Sequence, residues 1–433
     1  MPTPLNRAWL RLAVVPYLRR GAVVPCLRKG AAGIALIALL FVADVAVTHQ
    51  VFTSKHPGAN DFYSRWRAAQ AYWLEGADPY SDGVTLLIQQ GIYGRPARPD
   101  EDPGPFAYPF YTVFLLYPLV HLSYAWVEAI WLVILQFSLI GGVLLTLALY
   151  GWRLPPWLAA VSALWAVVFY HSGRTILLGQ FAGLVFLWTV ALLFALKLRW
   201  DIAAGILLAL TTIKPQMSVL LIPALLLWGI GQRRWWFLLS AAAAMTVLVG
   251  ASFALLPGWL NEFAAQLGRY PSYTAIGSPV WIITQYYLPW LGTPVEVGLS
   301  ALLVLYLLFE WRRLPGSTAA SASFHWLIGL TIIVTNLVVM RTATTNYVAL
   351  YIPLFLALKA ALHPVQRGNL LFACFCVLST VAIWVLFTST VVGKFEHPIV
   401  YLPLPIGLFI GFAAARKAIE TALPGAHHAI ARA

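Results

Sequence analysis

Residues 105–122 read PFAYPFYTVFLLYPLVHL. Whether this stretch crosses a bilayer decides the architecture, because every later loop changes sides with it. It is apolar enough to enter lipid. It is also short, and Pro105, Pro109 and Pro118 interrupt it, each removing a backbone donor and opposing a continuous helix. Two readings are open: a span, or a helix that dips in and returns.

The rest of the chain is built for lipid. Its 433 residues are 61% hydrophobic and 10% charged, where soluble domains run at about 25% charged. Apolar runs approaching the ~20 residues of a membrane helix recur along it, and they lack the alternation of a membrane barrel. Without a crossing at 105–122, the runs at 31–48, 124–150, 157–171, 181–196, 202–213, 216–230, 236–256, 293–310, 324–340, 347–361, 370–391 and 399–415 make about 12 transmembrane helices. The predicted fold is therefore an all-α polytopic membrane protein with one membrane domain, 31–415.

Charge chooses between the two readings. Cytoplasmic loops carry the excess of Lys and Arg. Residues 1–30 hold Arg7, Arg11, Arg19, Arg20, Arg28 and Lys29 and no acid, so this basic N-terminus is placed in the cytoplasm, with a tail at 416–433 on the same side. If 105–122 dips, 18 of the 28 basic residues fall on cytoplasmic segments. If it crosses, the paired-base loops such as Arg233–Arg234 and Arg312–Arg313 face out. The dip is preferred. It makes 50–123 a first extracytoplasmic loop with amphipathic and re-entrant parts, holding seven of the 15 acids, and 257–292 a second. Single cations then stand at outer span ends: Arg174, Lys214, Arg269, Arg341 and Lys394. The net charge of +13 is thus a membrane pattern and implies no nucleic-acid partner. Cys26, Cys374 and Cys376 are odd in number and lack metal-ligand spacing.

The first loop opens with NDFYSRWRAAQAYWLEGADPY, residues 60–80. Asn60 suits a helix cap, and Asp61 then lies in the first turn, where the helix dipole favours an anion. Phe62, Trp66, Ala69 and Trp73 share a face, read as lying in the headgroup layer. Arg65, four residues on, is expected beside Asp61. Gly76 ends the helix. Asp100, Glu101 and Asp102 read as a solvated acidic turn; the aromatics of 257–292, from Trp259 to Trp290, read as interface anchors.

No phosphate-loop, zinc-hydrolase or serine-nucleophile motif is present. What remains is a carboxylate at the outer membrane surface and several lone cations. A carboxylate can act as general base, and cations can hold a phosphate leaving group. That pairing suits transfer of a sugar from a lipid phosphate to a hydroxyl. A monophosphate neutralised by two cations requires no metal and no cofactor.

The pattern D-F-x-x-x-W-x-A-A-x-A-x-W-L-x-G-x-D-P-Y in 61–80 resembles the first-loop signature of glycosyltransferase family 87, a GT-C group that uses polyprenyl-phosphate sugars. FAYPFYTVFLLYPL (106–119), the run from GQFAG to IKPQ (179–216) and GQRRWW (231–236) resemble later family segments in order. The resemblance covers roughly 30–240. Phe110 stands where a second proline is usual, and Asn346 where a histidine is expected nearby. The resemblance implies Asp61 as catalytic base, Lys214 as donor-phosphate ligand and Gln180 as an orienting group. Arg174 and Arg341 join Lys214 as phosphate candidates, and Arg65 and Tyr347 join Gln180 as substrate-orienting candidates. The implied enzyme is an inverting hexosyltransferase of the bacterial plasma membrane, with mannose the expected sugar and a lipid or glycan as acceptor. A transporter or flippase of lipid-linked substrates and a non-catalytic lipid-binding membrane protein are the alternatives.

Overall fold

The computed structural model describes residues 23–422, apart from 274–275, 341, 363–364 and 394–395. Expectations for the first 22 residues, Arg341, Lys394 and the tail from 423 onward lie outside that range. Among the described residues the chain is helical throughout, without strands. Lipid supplies no hydrogen bonds, so a crossing backbone has to satisfy its own polar groups, which helices do.

The order is α1 (Val23–Thr48), α2 (Asn60–Glu75), α3 (Asp82–Tyr93), α4 (Thr112–Leu116), α5 (Tyr124–Leu149), α6 (Pro156–Val168), α7 (Tyr170–Leu177), α8 (Ala182–Lys197), α9 (Asp201–Thr211), α10 (Pro215–Ser218), α11 (Leu221–Gly231) and α12 (Trp235–Leu255). Then come α13 (Trp259–Tyr273), α14 (Pro279–Trp281), α15 (Gly292–Trp311), α16 (Ala322–Val338), a 3₁₀ stretch (Thr344–Leu350), α17 (Tyr351–Leu362), α18 (Gly368–Thr390), α19 (Pro403–Ala414) and α20 (Arg416–Ala422). Six stretches are long and apolar enough to cross a membrane: Ala32–Thr53, Tyr124–Leu149, Trp235–Leu255, Pro289–Trp311, Thr344–Leu362 and Gly368–Thr390. Six further apolar helices have 10–17 residues, or roughly 15–25 Å against a hydrocarbon core of roughly 30 Å. Each of these twelve overlaps one of the twelve apolar runs of the sequence, the run 216–230 being broken between α10 and α11.

α16 is the inner post, with every residue from Phe324 to Leu337 buried. A helix that is apolar all round belongs inside. α1, α12, α15 and α18 form the outside, presenting Leu36, Leu239, Leu302 and Val381 among many exposed aliphatics. α8 packs between α5 and α9, and α9 against α12.

The stretch 105–122 is not one continuous helix. It forms only the five residues of α4 and a three-residue 3₁₀ turn, Tyr117–Leu119, a helical rise of roughly 13 Å. Its loose carbonyls are taken by α2. Trp66 Nε1 donates to Leu119 O at 3.1 Å, Gln70 Nε2 to Val120 O at 3.1 Å and Trp73 Nε1 to Val113 O at 3.0 Å. Residues 66, 70 and 73 fall on one helical stripe, so a single face of α2 satisfies a segment that cannot satisfy itself.

Three expectations are corrected. The face of α2 lies against protein and not among headgroups: Phe62 is wholly buried and Trp66 is 5% exposed. Each such side chain contributes about 1.5–3 kcal/mol by burial. Helical periodicity reports an apolar face but not what covers it. Asn60 is the first helical residue and not the cap. The cap is Ala59, in the left-handed region at φ 48° with no side-chain cap bond, while Gly76 does end the helix at φ 67°. Trp259 is 3% exposed and packs near Tyr111 at 6.1 Å, so it anchors α13 to the core, whereas Trp290 is 75% exposed. The acidic turn is exposed at Asp100 and Asp102, as expected of a solvated turn, and only Glu101 is drawn in. Glu101 accepts two bonds from Arg95, at 2.8 and 2.9 Å, and one from Arg98 N at 2.9 Å, because a basic loop folds back over it.

Candidate active site

α2 brings Asp61 to the surface in its first turn, half-buried. The second component comes from the turn after α7. There Gln180 N donates to Thr175 O and Gly179 N to Ile176 O, both at 2.9 Å, the paired bonds of a Schellman ending. Such an ending needs a left-handed residue, and Gly179 supplies it at φ 67°. The third component is Lys214, the residue before Pro215. A proline disfavours the helical region for its predecessor, so α9 stops and the chain restarts at α10. The carbonyls freed by that break are held by Tyr111 Oη on Thr212 O at 3.2 Å and Ser218 Oγ on Thr211 O at 3.2 Å.

These three residues form one chain of hydrogen bonds. Gln180 Nε2 donates to Asp61 Oδ2 at 2.5 Å, and Lys214 Nζ donates to Gln180 Oε1 at 2.6 Å. An ammonium has only donors, so the amide can face it only with its oxygen, which turns the NH₂ toward Asp61. Tyr108 Oη, from the broken segment, adds a longer bond of 3.4 Å to the same Oε1. Gln180 is 9% and Lys214 2% exposed. Burial pushes the Lys214 ammonium down to about 7; the Arg65 charge pushes the same way and Asp61 opposes it. Asp61 Oδ1 has no hydrogen bond among the described residues, so within them one carboxylate oxygen is held and the other is not.

Arg65 lies beside this chain but does not pair with the Asp61 carboxylate. Its Nη1 donates to the Asp61 carbonyl and, at 2.7 Å, to Ser64 Oγ, and its guanidinium lies 4.8 Å from the centre of the Tyr108 ring. The helical spacing that suggested an ion pair serves a bond to the backbone. Asp102 and Tyr270 also act on the Arg65 charge, which brings the acidic turn and α13 to the edge of the site.

The other sequence candidates stand elsewhere. Arg174 Nε donates to Glu396 Oε1 at 2.7 Å. The same carboxylate takes Tyr170 Oη at 2.5 Å and Thr344 Oγ1 at 3.0 Å. Tyr347 is wholly buried and donates to Tyr401 O at 3.0 Å. Arg341 lies outside the described residues.

Sequence reasoning missed Tyr108, Gly179 and Trp131. Trp131 Nε1 donates to Gly179 O at 2.8 Å, and its ring stacks on Phe62 at 4.4 Å. A Cβ on Gly179 would lie 2.5 Å from Phe62 Cβ and 3.1 Å from Ala59 Cβ. The signal was available, since Gly after an apolar helix marks a left-handed ending. Gly179→Ala is expected to cost about 1–3 kcal/mol of strain and to move Gln180 off Asp61. Thermal midpoint in detergent and turnover should both fall, turnover by about tenfold or more. Unchanged values for both would show that the turn tolerates a side chain.

The geometry offers a base with one free oxygen, linked through one amide to a buried cation. The family model of glycosyltransferase family 87 matches residues 106–340. The chain belongs to glycosyltransferase family 87. It is a membrane glycosyltransferase. The match takes in Tyr108, Gln180 and Lys214 and runs on through α16, well beyond the resemblance read from the sequence, and it begins after the helix that carries Asp61. Neither a curated protein nor a solved structure matches the chain.

Proposed function

We propose that this family 87 enzyme transfers a hexose, mannose first among the candidates, from a polyprenyl-phosphate donor to a hydroxyl of a lipid or glycan acceptor. The acceptor oxygen attacks the anomeric carbon. The bond from that carbon to the phosphate oxygen breaks, its electron pair leaves with the polyprenyl phosphate, and the acceptor proton passes to Asp61 Oδ1. One displacement inverts the anomeric configuration. The observation that carries this reading is the half-engaged carboxylate of Asp61, with Lys214 one amide away. Lys214 has two further N–H donors for a phosphate, and the nearby Arg65 adds positive charge.

The chemistry is placed outside the cytoplasm. In this reading the six shorter apolar helices also cross, giving about twelve crossings within a single membrane domain, 31–415, of the plasma membrane. Both termini are cytoplasmic, and Asp61, Gln180 and Lys214 share the outer surface. Nucleotide sugars are not expected there, whereas a lipid-borne donor can arrive within the membrane.

Purified enzyme in vesicles, offered radiolabelled polyprenyl-phosphate mannose, polyprenyl-phosphate glucose or the corresponding nucleotide sugars with a mixed lipid acceptor, tests this. Transfer is expected from a polyprenyl-phosphate sugar alone, with the opposite anomeric configuration in the product. Transfer from a nucleotide sugar, or retention of configuration, would overturn it.

A further inference from the structure

Glu128 is the only acidic or basic residue in the 26 residues of α5, and the chemistry above does not use it. An ionisable group inside an apolar helix is costly and calls for a reason. Glu128 is wholly buried. Its Oε1 accepts from Gly58 N at 2.9 Å, and its Oε2 is buried without a partner among the described residues.

One turn earlier, Tyr124 Oη donates to Gly58 O at 2.7 Å and lies 3.2 Å from Ala59 O. Nearly a turn later, Trp131 holds Gly179 O. Positions 124, 128 and 131 fall on one stripe of α5. This stripe therefore grips two stretches of backbone: the one that leads to Asp61 and the one that leads to Gln180. Between Gly58 and Asp61 stands Ala59, a non-glycine residue at φ 48°. A residue persists in that region when its surroundings over-determine it, and the bonds from Glu128 and Tyr124 are what surrounds it here.

We infer that Glu128 is a positioning residue: by accepting from Gly58 N–H it holds the left-handed turn at Ala59 and fixes the direction in which Asp61 Oδ1 faces the acceptor hydroxyl. The inference rests on Asp61 as base. Glu128 touches no substrate. Its contribution lies in orientation, so its loss lowers turnover and not donor binding. Gln offers the same acceptor to Gly58 without a charge, and it should substitute.

The test uses the full chain in vesicles, with kcat and donor KM for Glu128→Ala, Glu128→Gln, Tyr124→Phe and Asp61→Asn, and thermal midpoints for each. Glu128→Ala should lower kcat about 10- to 100-fold at unchanged donor KM, as displacement of a reacting group does. Glu128→Gln should stay within about threefold of wild type. Tyr124→Phe removes the other half of the anchor and should lower kcat about three- to tenfold; it decides the matter if Glu128→Ala does not fold. Wild-type kcat in both Glu128→Ala and Tyr124→Phe, with Asp61→Asn inactive, would overturn the anchor alone. Glu128→Gln as inactive as Asp61→Asn would also overturn it, because charge and not position would then be the requirement. Turnover surviving Asp61→Asn would instead undo the base on which the inference rests.

Discussion

Asp61→Asn is expected to lower kcat by roughly 10²–10⁴-fold, the usual contribution of a positioned general base. Donor binding should change by no more than a few-fold. The substitution is selective because of how the carboxylate is held. Asn keeps an oxygen for Gln180 Nε2 to donate to, so the 2.5 Å bond and the link on to Lys214 can persist. What disappears is the proton acceptor at the free oxygen. Single-turnover rates and donor binding, measured in the same vesicles, separate the two. A kcat within tenfold of wild type would remove Asp61 from the chemistry. Asp61→Ala should be worse in a second way, since Gln180 and Lys214 would lose their shared anchor and donor affinity would fall as well.

Lys214→Met is expected to lower kcat/KM by roughly 10²–10³-fold, the scale seen when a preorganised group facing developing charge is removed. A pH dependence accompanies it. Burial lowers the ammonium to about 7, so the free enzyme carries this charge below that pH and loses it above. A phosphate binds the charged form and raises its proton affinity. Donor binding should therefore take up a proton, and affinity should fall as pH rises through about 7. Arg stays charged throughout, so Lys214→Arg should flatten the profile even if its absolute rate is lower. Donor KM measured from about pH 6 to 9 checks this, and a wild-type profile that is flat over that range would show that the Lys214 charge plays no part.

What was legible in the sequence differs from element to element for physical reasons. The prolines of 105–122 announce a broken segment, because proline removes donors wherever it occurs. The positions of the twelve apolar runs were legible because hydropathy, too, is a local property of the sequence. The face of Phe62 and Trp66 was visible as a periodicity, yet period alone cannot distinguish a lipid headgroup from a neighbouring carbonyl. Asp61 and Lys214 could be named from charge placement and a family pattern. Their junction through Gln180 could not, since it joins residues 119 and 34 positions apart. Arg65 shows the limit of spacing rules: four residues from Asp61, it bonds the backbone and leaves the carboxylate. Glu128 was open to reading as a lone acid in an apolar run. The cap was not, because no propensity places alanine in a left-handed turn.

The three side chains of α2 that bind the broken segment have a consequence for the reaction cycle. They bolt the helix that carries the proposed base, Asp61, to the body of the protein through bonds in which no ligand takes part. The arrangement of charge is thus set once, when the chain folds, and need not be rebuilt for each pair of substrates. With the polyprenyl-phosphate donor proposed above, an enzyme made this way would leave little for induced closure to accomplish on that side, and its pace would follow the exchange of bulky isoprenoid chains more than any remodelling of the first loop.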